Sequence, residues 1–67
     1  MEHRILRLKD VIAMTGLSRS TIYLRMEQGK FPEKINLGSR AVGWISSEIK
    51  EWIEERIKES RLGKTLN

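Results

Sequence analysis

Cysteine is absent from the 67 residues, and histidine, proline, phenylalanine and tyrosine occur once each. Without a thiol, neither a disulfide nor a thiolate metal site can hold the fold. The one histidine, His3, has no second histidine beside it and reads as a surface residue. No apolar run approaches the ~18 residues of a membrane span, and the N-terminus lacks the apolar stretch of a signal peptide. A soluble, cytoplasmic protein is the expectation. Length excludes more: a domain of about 60 residues buries only about 60% of the surface its unfolded chain exposes. A single small core and no deep substrate pocket follow. There is no carboxylate pair in a plausible cleft and no glycine-rich phosphate loop, so the chain is not expected to be an enzyme or to carry a cofactor or small-molecule substrate.

Charge is present, and its distribution says more than its total of +4. Residues 1–45 hold eight cations (Arg4, Arg7, Lys9, Arg19, Arg25, Lys30, Lys34, Arg40) against four acids (Glu2, Asp10, Glu27, Glu33), while residues 46–67 hold five of each sign. The excess is confined to the first two thirds, which points to a polyanionic partner.

The punctuation of the chain gives its elements. Arg4 to Leu8 alternates basic and apolar residues and suits a short strand. Leu8, Val11 and Ile12 then fall at i, i+3, i+4 on one face of a helix that Gly16 ends. Ser18 is an N-cap for a second helix, with Leu17 and Ile22 in the two positions of a hydrophobic staple. Ile22 and Met26 form its buried stripe, and Gly29 suits the left-handed residue that closes it. Two short helices this close, joined by a glycine turn, make a helix-turn-helix. Beyond Phe31-Pro32 the period becomes two. Ile35 and Leu37, the turn residues Gly38-Ser39, then Val42 and Trp44 read as a β-hairpin with Arg40 at or next to its tip. Ser46-Ser47-Glu48 opens a third helix, its acid placed at the positive end of the helix dipole. Ile45, Ile49, Trp52, Ile53 and Ile57 give that helix an apolar stripe, opposite a solvated face of Lys50, Glu51, Glu54, Glu55 and Lys58. The predicted fold is a small, mostly helical α+β domain: a winged helix-turn-helix over residues 1–61, with 62–67 a flexible tail.

The second helix is the unusual one. With Ile22 and Met26 buried, its far side carries Ser20, Leu24 and Thr21, while Tyr23 and Arg19 flank the core. A plain surface helix favours Glu, Lys and Ala. Hydroxyls and arginine are instead the groups that donate to phosphates and base edges. Leu24, apolar on the outer face, is either a stray or a contact to a thymine methyl or a neighbouring subunit.

At this point the motifs match a known family. "TGLSRSTIYLRMEQGKFP" followed by "LGSRAVGWISSEIKEWI" resembles the AlpA family of prophage-type regulators, small excisionase-related proteins with a winged-helix domain of the MerR-like kind. The resemblance spans about Leu8 to Arg56. It rests on the joint occurrence and spacing of G-L-S-R-S-T-I-Y, G-x-F-P, L-G-x-R and W-x-x-S-E-(I/V)-x-x-W-I. It implies binding to double-stranded DNA as a transcriptional regulator, as a recombination directionality factor, or as both. By position, the recognition helix is Ser18 to Gln28, the wing is Lys34 to Trp44, and the wing arginine is Arg40. Relatives often carry a basic residue and then an apolar one in mid-helix. Here the order is Leu24 then Arg25, which leaves open which of the two faces the groove.

Each candidate has a physical role. Ser18, Arg19 and Ser20 sit where free backbone N–H groups and the helix dipole favour phosphate. Thr21, Tyr23, Leu24 and Arg25 are placed to enter the major groove, whose edges distinguish all four base pairs. Lys30 and Lys34 are expected phosphate clamps, and Ser39 and Arg40 reach the minor groove or backbone from the wing tip. Trp44 and Trp52 fit core packing better than base stacking. One such module contacts about 600–1,000 Å² of DNA, so further copies on adjacent sites, and an integrase for a directionality factor, are the expected protein partners. The rival reading is a protein-interaction adaptor built on the same scaffold. It requires an exposed apolar patch, and beyond Leu24, Leu62 and Leu66 the sequence offers none.

Overall fold

Each helix of the helix-turn-helix ends at a glycine with left-handed backbone, Gly16 at φ 73° after the first and Gly29 at φ 71° after the second. The computed structural model describes residues 4–66, so His3 lies outside it. Its elements are β1 (Ile5–Leu6), α1 (Leu8–Thr15), α2 (Arg19–Glu27), β2 (Ile35–Gly38), β3 (Ala41–Ile45) and α3 (Ser46–Leu66). This is the expected small, mostly helical α+β winged helix-turn-helix.

Local chemistry explains the boundaries. Asp10 accepts the Arg7 backbone N–H at 3.0 Å and closes the first turn of α1. At the other end the Gly16 N–H donates to the Ile12 carbonyl at 2.8 Å from a conformation that a side chain would strain. Thr15 locks the same turn twice: its hydroxyl donates to the Val11 carbonyl at 2.8 Å and accepts the Leu17 N–H at 3.2 Å.

The sheet has three antiparallel strands in the order β1-β3-β2. Pairing of Ile5 with Ile45 and Leu6 with Trp44 places β1 on one side of β3. On the other side Ile35 pairs with Gly43, Asn36 with Val42 and Gly38 with Ala41, so Leu37 is bulged out of register. Gly43 is in the crowded middle of this sheet. A Cβ there would stand 2.5 Å from Cγ2 of Ile5 and 3.0 Å from the Leu6 carbonyl oxygen. The glycine leaves room for the β1 side chain to fold across the outer face.

The core takes one residue from almost every segment: Leu6, Val11, Ile22, Phe31, Trp44 and Ile49. Trp44 is 0% exposed and its indole N–H donates to the Pro32 carbonyl at 3.2 Å. Trp52 meets Phe31 edge-on, with centroids 4.7 Å apart, and donates to the Lys30 carbonyl at 2.8 Å. Both tryptophans thus pack inward and pin residues 30–32, the link between α2 and the hairpin.

Three details differ from the sequence expectation. Ile45 belongs to β3 and not to the stripe of α3. Ile57, expected in the buried stripe, is 42% exposed because it borders an open groove with Met14 and Arg25. Residues 62–66, expected as part of a tail, continue α3. A single helical glycine costs only about 1 kcal/mol relative to alanine, too little for Gly63 to end the helix. Among the described residues no helix is long and apolar enough to cross a membrane.

Candidate nucleic-acid interface

α2 begins at an N-cap of the expected kind. The Ser18 hydroxyl accepts the Thr21 backbone N–H at 3.2 Å and donates to the Thr21 hydroxyl at 2.9 Å. Ser20 lies 3.4 Å from the same oxygen and carries no backbone group of its own in this network. Ser18→Ala is therefore expected to cost about 0.5–2 kcal/mol, a fall in Tm of several degrees. Ser20→Ala should cost less. Melting both variants side by side checks this, and an equal loss in the second would move the cap.

Only Ile22 is buried within α2, so most of its surface is available. Arg19, Ser20 and Leu24 are exposed, Leu24 by 53%, and Glu27 and Gln28 follow them. Thr21 and Tyr23 are half-buried at the edges of this face. Two cations stack on the Tyr23 ring: the Arg19 guanidinium carbon is 5.7 Å from its centroid and Lys34 Nζ is 5.4 Å from it. Lys34 belongs to the approach to β2, so this ring joins helix to wing. Lys30 is exposed just past α2, its N–H donating to the Arg25 carbonyl at 2.8 Å.

On the wing, Lys34, Ser39 and Arg40 are all exposed. Lys34 and Arg40 line one shallow depression together with Asn36 and Val42. Arg40 has φ 59°, the only non-glycine among the described residues with a left-handed backbone. That conformation costs an L-residue about 1–2 kcal/mol, and a charged side chain occupies it at the very tip. Asn36 was not singled out by sequence, yet its Oδ1 accepts the Gly38 N–H at 3.0 Å and shapes the turn. An asparagine two residues before a hairpin glycine is the signal that marks it.

Arg25 is the candidate that the structure sets apart. It is half-buried and lines the groove toward α3 with Leu17, Trp52, Ile53 and Arg56. One residue along a helix turns about 100°, which is enough to carry Arg25 off the face that Leu24 occupies. Of the remaining candidates, Ser18, Arg19, Ser20, Tyr23, Lys34 and Arg40 are linked neighbour to neighbour from the start of α2 to the wing tip.

Residues 4–57 match the family model described as Prophage CP4-57 regulatory protein (AlpA). The chain is 46% identical over 61 residues to the DNA-binding transcriptional activator AlpA of Escherichia coli K12, an alignment covering 82% of this chain and 87% of that protein. It is also 40% identical over 62 residues to the uncharacterized protein ORF88 of Enterobacteria phage P4, covering 92% of this chain and 70% of that one. The matched span contains the whole surface from Ser18 to Arg40.

Proposed function

The chain belongs to the AlpA family of prophage regulatory proteins, and from that premise we propose that it is a regulator that binds double-stranded DNA in a sequence-specific way. α2 lies in the major groove, and the β2–β3 wing rests on the adjacent backbone or minor groove. The observation that supports this most is the bridge between the two reading elements: Tyr23 of α2 lies 5.4 Å from the ammonium of Lys34 at the base of the wing. Helix and wing present a continuous polar and basic surface, while the outer face of α3 alternates Lys50, Glu51, Glu54, Glu55 and Lys58, all exposed. That asymmetry favours DNA over a protein-adaptor role.

A surface this small selects a site weakly alone, since single modules bury about 600–1,000 Å². Several copies bound side by side supply the rest. In that arrangement the protein controls transcription, and bending of the bound DNA suits it equally to act with an integrase as a recombination directionality factor. The test is a titration of duplex DNA at several salt concentrations. Each phosphate neutralised contributes about −0.9 to the slope of log K against log salt, so a slope of magnitude ~3 or more per bound module is expected. A slope near zero would remove the DNA-binding reading.

A further inference from the structure

We propose that Tyr23 does not read bases but acts as a platform that holds Arg19 and Lys34 together as one phosphate clamp across the junction of helix and wing. The inference rests on the DNA-binding reading. Its geometric half is independent of it: cations from two elements lie 5.7 and 5.4 Å from one ring centroid, both within the ~6 Å at which a ring face attracts a cation.

The choice of an aromatic ring is what makes this a clamp. Two long cationic side chains on separate elements repel each other and sample many rotamers. A carboxylate between them would gather both, but it would also cancel the charge that a phosphate needs. A ring attracts cations through its quadrupole and carries no net charge, so it fixes their position and leaves their charge intact. Arg19 and Lys34 are both exposed, so their outward N–H groups remain free for an anion. Tyr23 itself is half-buried at the edge of α2, turned away from the outermost position that Leu24 holds. Its ring is positioned to support side chains that touch DNA, and Tyr23 is a positioning residue.

The experiment compares Tyr23→Phe with Tyr23→Leu on a cognate duplex and on a scrambled one. Phenylalanine keeps the ring face, and binding is expected to stay within about twofold of wild type. Leucine removes it, and ordering two freed side chains is expected to lower affinity on the order of tenfold for both duplexes alike, with the specificity ratio unchanged. A loss in Tyr23→Phe equal to that in Tyr23→Leu would assign the work to the hydroxyl and overturn the proposal. So would a loss confined to the cognate duplex, or no loss in Tyr23→Leu. A second measurement needs neither DNA nor a fully stable leucine variant. In the free protein the ε-methylene protons of Lys34 should resonate upfield through the ring current, in wild type and in Tyr23→Phe. Unshifted Lys34 protons in a protein that binds DNA sink the platform alone. Shifted protons in a wild-type protein that ignores DNA at every salt concentration overturn the clamp's phosphate role together with the DNA-binding reading, and confine Tyr23 to a structural contact.

Discussion

Trp44→Ala is expected to remove most of the folded state. The ring is 0% exposed at the centre of a six-residue core, in the middle strand of the sheet. Truncating a buried tryptophan costs about 3–5 kcal/mol through lost burial and the cavity left behind. A single core in a chain this short rarely supplies more than ~3–5 kcal/mol in total. The Pro32 carbonyl also loses its indole donor. Thermal melting followed by far-UV circular dichroism should show a Tm at least ~12 °C lower, or no cooperative transition. Trp44→Phe removes the indole donor with a smaller loss of packing and should cost less, about 1–3 kcal/mol. An alanine variant that melts within about 5 °C of wild type would mean that the core is centred elsewhere.

Leu24→Glu carries the largest expected effect on DNA binding, in contrast to Arg25→Ala beside it. Leu24 is 53% exposed on the outer face of α2, so a carboxylate there costs the fold little. In a complex it would be desolvated among phosphates and base edges with no cation opposite, a penalty of several kcal/mol even after relaxation. Affinity should fall on the order of 100-fold with little change in Tm. Arg25 lines the groove beside Trp52 and Ile53. Its truncation should leave the ratio of specific to random binding unchanged and appear mainly as lost stability, because the guanidinium stem covers apolar surface. Gel-shift titrations on cognate and scrambled sites, with melts of both variants, decide it. If Arg25→Ala loses ~1–3 kcal/mol of discrimination, Arg25 turns into the groove on binding.

Much of this was legible in the sequence because the signals are local. Ser18 capping α2, Gly16 and Gly29 ending helices, and a hairpin turn beside Arg40 depend on a few neighbouring residues and on backbone rules that hold in any fold. The turn itself is Ser39-Arg40, one residue beyond the expected Gly38-Ser39. The inward packing of both tryptophans followed from their alignment with apolar stripes. What escaped depends on long-range placement. Tyr23 meets Lys34 eleven positions on, across the link and around a turn, which no helical wheel includes. The need for Gly43 arises only once β1 lies against β3 and Ile5 folds over it. Leu24 against Arg25 turned on the angular position of one residue, where a buried stripe of only Ile22 and Met26 defines the helix's rotation loosely. The signal at Asn36 concerns the shape of a turn and not charge, so a search for cations and hydroxyls does not reach it.

The two indole hydrogen bonds on residues 30–32 have a mechanical consequence. Trp52 holds the Lys30 carbonyl, Trp44 holds the Pro32 carbonyl, and Phe31 is buried between them at 7% exposure. The segment joining α2 and the β2–β3 hairpin is therefore held at both ends, with little slack. If α2 and the hairpin both contact DNA as proposed, the distance between the two contacts would be a ruler with a fixed graduation, and a site of the wrong pitch would have to yield to the protein. Smooth bending of a 20–30 bp site by 40–90° costs about 1–6 kcal/mol, less where flexible pyrimidine–purine steps lie at the strained point. Base pairs lying between the helix and the wing, touched by no side chain, would then be selected for their compliance.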